Sequence, residues 1–127
     1  MRPKRGAQTT VAESSPSRWS RVEALLALVG VGVADGLVLV AHREEELVGA
    51  AVVRLHPPDA ELVALVTEPN HRHQGVGRLL VRELERRARI AGCTRLRVRL
   101  PRRDDAAHSF FARMGFEDTH VAFDRAL

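Results

Sequence analysis

The chain contains no tyrosine, a single cysteine (Cys93) and a single lysine (Lys4) among its 127 residues. One cysteine excludes an internal disulfide and fits a reducing compartment. Cys93 follows Gly92 just ahead of a predicted strand, the place of a small buried residue rather than of a nucleophile. Aromatic residues make up 4% of the chain, too few for the stacking platform of an RNA-binding surface. The apolar stretch from Ala24 to Val40 is interrupted by Asp35 and by glycines, which makes it a poor membrane span. No hydrophobic core directly follows the basic Met1-Arg2-Pro3-Lys4-Arg5, so a signal peptide is not expected. These features together predict a cytoplasmic protein that binds no membrane. The formal charge of +4 suits a polyanionic small ligand but is too mild to argue for nucleic acid. His71 and His73 form a His-x-His pair without further ligands at metal spacing, so no metal is expected there.

What is present reads as one folded domain. Apolar residues reach 45%, enough for a core in a chain of this length. Residues 1–16 are rich in Ser, Thr, Pro and Gly and read as a flexible tail, with a short strand possible at Thr9–Val11. Residues 17–127 read as the domain. Val22, Leu25, Leu26 and Val29 give a helical face over Arg21–Val29. Leu37–Ala41 and Leu47–Leu55 read as a hairpin about a charged turn, with Gly49 marking a bulge or a close backbone approach. Pro57-Pro58-Asp59 turns the chain into a third strand, Glu61–Thr67. Val76, Leu80, Leu84, Ala88 and Ala91 form the apolar stripe of a long helix, which Gly92 ends in the left-handed cap position. Thr94–Leu100 alternates Leu96, Val98 and Leu100 with Arg95, Arg97 and Arg99, a half-buried strand. Crossing over through the long helix, it should lie parallel to the third strand. A short helix over Ala106–Arg113 ends at Gly115, and Thr119–Leu127 closes the sheet as one bent strand or two short ones.

The stretch with chemistry in it is Pro69-Asn70-His71-Arg72-His73-Gln74-Gly75-Val76-Gly77-Arg78. A glycine-rich loop between a strand and a helix N-terminus binds anions. The first N–H groups of the helix lack intrahelical partners, and the helix dipole adds positive charge. No Gly-Lys-Ser/Thr follows, which rules out a P-loop. Leu80 stands where a dinucleotide fingerprint needs its third glycine.

Arg72-x-x-Gly75-x-Gly77 resembles the acetyl-CoA signature of the GCN5-related N-acetyltransferases, written Gln/Arg-x-x-Gly-x-Gly/Ala. Ala107-x-x-Phe110-Phe111-x-x-x-Gly115-Phe116 resembles the family's Ala-x-x-Phe-Tyr-x-x-x-Gly-Phe segment. The resemblance runs from about Leu37 to Leu127. It implies a mixed α/β (α+β) fold: a mostly antiparallel sheet flanked by helices, with a parallel central strand pair that splays apart around the cofactor. It implies acetyl-CoA as cosubstrate and a primary amine of a small molecule or protein as acceptor, and it leaves room for a homodimer. By the same resemblance, backbone groups of Leu65, Val66 and Thr67 would hold the pantetheine arm. The amides from Arg72 through His73, Gln74, Gly75, Val76 and Gly77 to Arg78 would hold the pyrophosphate. Glu61, fourteen residues before Gly75, stands where histone-type members carry the base, and Glu68 is the alternative.

Two departures stand out. Phe111 occupies the position of the family's tyrosine acid and cannot donate a proton; it is expected as an apolar wall beside the thioester, with Phe110 in the core. The N-terminal part is short for the family, which implies that a first strand and one helix are missing or reduced. Both departures motivate an alternative, a catalytically weak or inactive acyl-CoA-binding module.

Overall fold

A computed structural model of the chain describes residues 9–14, 19–28, 36–72, 75–98, 105–119 and 122–127. In order they form β1 (Thr9–Glu13), α1 (Trp19–Ala27), β2 (Leu37–Arg43), β3 (Glu46–His56) and β4 (Asp59–Thr67). Then follow α2 (Val76–Ile90), β5 (Arg95–Val98), α3 (Asp105–Arg113), β6 (Glu117–Asp118) and β7 (Phe123–Ala126). The strands make one sheet in the order β1-β2-β3-β4-β5-β7-β6. Every neighbouring pair is antiparallel except β4 and β5. That is the predicted mixed sheet, and the parallel pair flanks the helix that crosses over between its strands.

The sheet carries a core on each face. Val22, Leu25 and Leu26 of α1 pack on Val38, Val40, Ala50, Val52, Ala64 and Val66. On the opposite face, α2 packs Val76, Leu80, Val81, Leu84 and Ala88 on Leu39, Val48, Ala51, Val53 and Leu62, and Phe111 and Phe116 join them. The stripe read from the sequence is the buried one, apart from Ala91, which lies exposed at the helix end. Gly92 takes φ +90°. Cys93 N–H donates to Ala88 O at 2.9 Å, the bond that closes a helix ending in a left-handed glycine.

Two bulges change which face each side chain takes. Ala41 pairs with Gly49 and His42 with Leu47, leaving Val48 as the extra residue of β3. Val52 pairs with Ala64 and Val53 with Leu62, leaving Val63 as the extra residue of β4. An inserted residue breaks the alternation of a strand. Val48 and Gly49 therefore both face α2, while Val63 and Ala64 both face α1. A Cβ on Gly49 would lie 2.7 Å from Val76 Cγ1 and 3.1 Å from Leu80 Cδ1. The close approach expected at this glycine is the seat of the first turns of α2.

The N-terminal segment differs from its reading. Thr9–Glu13 is a five-residue strand paired with β2, so a first strand is present, and residues expected in a tail stand at the sheet edge. Thr9, Thr10 and Val11 are good strand formers, and the unpaired side of β2 offers them a full ladder. α1 is the one helix described between β1 and β2. The closing segment is two strands, and the first starts at Glu117, before Thr119. Arg99, Leu100 and Asp104 lie outside the described residues.

Candidate active site

Among the described residues, the parallel pairing of β4 with β5 runs from Asp59↔Arg95 to Leu62↔Val98. The next residue of β4 is the bulged Val63. Beyond it, β4 continues to Thr67 paired only with β3 among the described residues. Glu68 N–H donates to Val48 O at 2.8 Å. Alternation along an antiparallel ladder then turns the peptide groups of Val66 and Ala64 toward β3, and those of Leu65 and Thr67 toward the open side. Of the three residues expected to present backbone groups there, Leu65 and Thr67 do so. Val66 is committed to β3, and its side chain lies in the α1-side core.

The open side of β4 leads to the N-terminus of α2. Gly75 is its cap residue, at φ 79° and ψ 8°, with no side-chain cap. Leu79 N–H donates to Gly75 O at 3.1 Å, closing the first helical turn. The N–H groups of Val76, Gly77 and Arg78 precede that bond and point out of the helix end. No acidic residue stands in the first turn, so nothing on the helix itself opposes an anion. The two glycines have different reasons. At Gly75 a Cβ would meet nothing within 4 Å, so the left-handed backbone asks for glycine. At Gly77 a Cβ would lie 3.3 Å from Phe110 Cζ and 3.8 Å from Leu65 Cδ2, so the glycine makes room for a ring rather than for an anion. Val76 is buried and offers only its backbone. Arg72 and Arg78 are exposed beside the helix end. His73 and Gln74 lie outside the described residues.

Glu68 does not stand free as a base. Its Oε2 accepts Asn70 N–H at 2.9 Å, capping the 3-10 turn Pro69–His71, and lies 3.8 Å from His71 Nε2. The same His71 nitrogen lies 3.2 Å from Glu46 Oε1, at the start of β3. The imidazole is therefore held between two carboxylates, with 17% of its side chain exposed. Glu46, His71 and Glu68 together tie the approach to the anion loop onto the β2–β3 hairpin. Nothing in the sequence spacing announced Glu46, twenty-five residues away.

Glu61 lies at the foot of the open side, one residue before the last parallel pair. Ala60 and Leu62 point into the α2-side core, so Glu61 points to the other face. There it meets its register partner Arg54 at 3.6 Å, and its side chain is 35% exposed. On β5, Arg97 is its other register partner and is itself held by Asp124 through bonds of 3.0 and 3.3 Å. That carboxylate raises the Arg97 pKa. The Cys93 thiol is pushed up by burial and then by Asp59, and lies 3.4 Å from Asp59 O; it is inert, as its place predicted.

The two phenylalanines of α3 are buried to different depths. Phe111 is 2% exposed and meets the rings of Phe110, Phe116 and Phe123 at centroid distances of 5.0, 5.3 and 6.2 Å. It is core. Phe110 is half-buried, packs against the same core, and lies beside Gly77 together with Leu65. The helix is oriented by its far end: Arg125 donates to Met114 O, covers the Phe116 ring at 4.5 Å and lies 3.6 Å from buried Glu85 of α2.

This arrangement has parallels among known proteins. The profile described as "Acetyltransferase (GNAT) family" matches residues 7–116. No curated protein matches the chain. Among solved structures, a GNAT family acetyltransferase from Elizabethkingia anophelis with acetyl-CoA bound superposes with TM-score 0.79 at 13% identity, covering 94% of this chain and 98% of that one. Arabidopsis thaliana Naa50, in complex with the bisubstrate analogue CoA-Ac-MVNAL, gives TM-score 0.79 at 13% identity over 94% and 99%. The ribosomal-protein-S18-alanine N-acetyltransferase from Escherichia coli gives 0.73 at 15% over 92% and 89%. At these identities the likeness speaks for the fold. The profile match spans most of the chain, and this chain belongs to the acetyltransferase (GNAT) family.

Proposed function

We propose that the protein is an acetyl-CoA-dependent N-acetyltransferase acting on a primary amine of a small molecule or a protein. The observation that carries the reading is the N-terminus of α2, entered through left-handed Gly75 with no side-chain cap, at the end of a strand whose Leu65 and Thr67 peptide groups turn away from β3. Acetyl-CoA supplies the activated acyl group. The N–H groups of Val76, Gly77 and Arg78 hold the pyrophosphate, with Arg72 and Arg78 adding charge. The peptide groups of Leu65 and Thr67 align the pantetheine arm as an added strand would. The structural neighbours include the ribosomal-protein-S18-alanine N-acetyltransferase and Naa50 with the bisubstrate analogue CoA-Ac-MVNAL, which supports a protein amine among the candidates.

Glu61 receives the acceptor's proton, directly or through water, because it faces the sheet surface away from α2 and is partly exposed there. Its pairing with Arg54 is a partly exposed ion pair of small energy, so an incoming ammonium can compete for the carboxylate. The leaving thiolate needs no tyrosine for its departure, since thiols ionise near pH ~8.5. In Glu61→Gln the side-chain shape persists and the basicity is gone. The expected result is a kcat/KM roughly 10²-fold lower with unchanged acetyl-CoA affinity. Equal turnover and an identical pH profile would remove Glu61 from the role.

A second reading is favoured by one observation. Phe111, at the position of the family's acid, is packed in the core and offers no proton. A catalytically silent acyl-CoA-binding module would look the same. Thiol release from acetyl-CoA across an amine panel separates the two: the enzyme gives amine-dependent release, the module none.

A further inference from the structure

Where β4 pairs with β5, the face of the sheet away from α2 carries a small charged cavity of about 230 Å³. It is lined by His56, Asp59, Ala60, Glu61, Arg95 and Arg97. Its charges are sorted by strand. Asp59 and Glu61 stand on β4, and Arg95 and Arg97 are their register partners on β5. The alternating residues Ala60, Leu62, Leu96 and Val98 are in the α2-side core, which places the four charged side chains on the opposite face. One wall is thus anionic and the other cationic, a strand spacing of ~4.8 Å apart. The cavity as a whole has no net charge from these four groups.

The two arginines are held differently. Arg97 is gripped through two nitrogens by Asp124 and is 29% exposed. Arg95 makes one bond of 3.1 Å to Asp59, in a pair whose side chains are 46% and 53% exposed. An exposed pair of that kind is held weakly, so a ligand carboxylate can take the Arg95 guanidinium from Asp59 with little loss. The volume of about 230 Å³ leaves room for a free amino acid.

We propose that this cavity is the acceptor subsite and that it selects a small zwitterionic amine, a free amino acid or the like. The ammonium lies on the β4 wall with Glu61, and the carboxylate lies on the β5 wall with Arg95. The identification of the cavity with the acceptor side rests on the acetyltransferase reading above. Its charge arrangement does not, and neither does its capacity to bind. A neutral or purely cationic amine leaves the arginine wall without a partner, and a large acceptor meets the cavity only with its terminal residue.

The test uses the full chain and two readouts. The first is binding of free L-amino acids, followed by NMR on the protein saturated with CoA, in wild type and in Arg95→Gln. Arg95 is a surface side chain, so the variant is expected to fold, which circular dichroism checks. The second is thiol release from acetyl-CoA with each amino acid, its C-terminal amide and the corresponding decarboxylated amine. At least one small amino acid is expected to bind wild type and to be preferred over its amide about tenfold or more in kcat/KM, as loss of a charge-assisted hydrogen bond implies. Arg95→Gln is expected to raise the KM for the acid and leave that for the amide, erasing the preference. The proposal is overturned if no amino acid binds, if amides and decarboxylated amines match or exceed the acids, or if Arg95→Gln affects acid and amide alike. Amino-acid binding that depends on Arg95, without turnover of any amine, supports the subsite and counts against acetyl transfer.

Discussion

Gly49→Ala is the most demanding test of how the sheet seats the anion-binding helix. The added Cβ would stand 2.7 Å from Val76 Cγ1, 3.1 Å from Leu80 Cδ1 and 3.1 Å from Val66 O. Carbon atoms in contact prefer about 3.5–4.0 Å, so the first turn of α2 must move by roughly 1 Å. A side-chain rotation cannot absorb this. Val76 is β-branched with one preferred rotamer in a helix, and Val76 and Leu80 are 1% and 0% exposed. Overpacking of this kind costs about 2 kcal/mol. For a domain of this size that corresponds to a melting temperature lower by roughly 7 °C. The displaced turn is the one whose N–H groups hold the anion, so acetyl-CoA affinity should fall as well. Urea unfolding and calorimetric titration read the two effects. Removing the obstructing methyl groups supplies the control. Val76→Ala alone costs stability through a cavity, but in Gly49→Ala/Val76→Ala the new Cβ finds space. The double variant should be more stable than the sum of the singles by about 1 kcal/mol or more. Strict additivity, or a Gly49→Ala protein as stable as wild type, would refute the seat.

Two other predictions concern residues whose roles the structure redistributes. Glu68→Ala removes the cap of the turn before the anion loop at about 1 kcal/mol, and should raise the KM for acetyl-CoA several-fold with little change in kcat; Glu68→Gln, which keeps an acceptor for Asn70 N–H, should stay near wild type. A fall in kcat with KM unchanged in both variants would return Glu68 to the role of base. Phe111→Ala should cost about 3–5 kcal/mol as a core truncation, and Phe111→Tyr should lose stability by burying a hydroxyl rather than gain rate. Phe110→Ala should be milder in unfolding yet shift acetyl-CoA affinity. The opposite assignment of the two effects would place Phe111 beside the cofactor after all.

The parts of this fold carried by local signals were legible. The stripe from Val76 to Ala88, the glycine at its end and the hairpin about Glu44 and Glu45 depend on spacing and turn chemistry within a few residues. The parallel pair followed from a helix lying between two strands. The parts set by long-range register were not legible. Val63 bulges out of β4, yet Val63 and Ala64 are both apolar, so no change of polarity marks the point where the strand changes faces. The charged row Arg54, Glu61, Arg97 and Asp124 exists only because β3, β4, β5 and β7 become neighbours. Adjacent phenylalanines at 110 and 111 differ in burial on one helix, and motif position alone does not say which of them is enclosed. Gly77 fits the signature, but its reason lies in Phe110, on an element thirty residues further along.

The measurement that bears most directly on the central claim is calorimetric titration of the full chain with acetyl-CoA, with Gly75→Val alongside. Gly75 has open space around a Cβ, so valine there disturbs no packing, but a β-branched residue resists φ 79°. The account predicts saturable one-to-one binding to wild type, and binding weakened about tenfold or more in a folded Gly75→Val protein as the N–H groups of the first turn lose their alignment. No binding to wild type, or equal affinity in the two proteins, would contradict it.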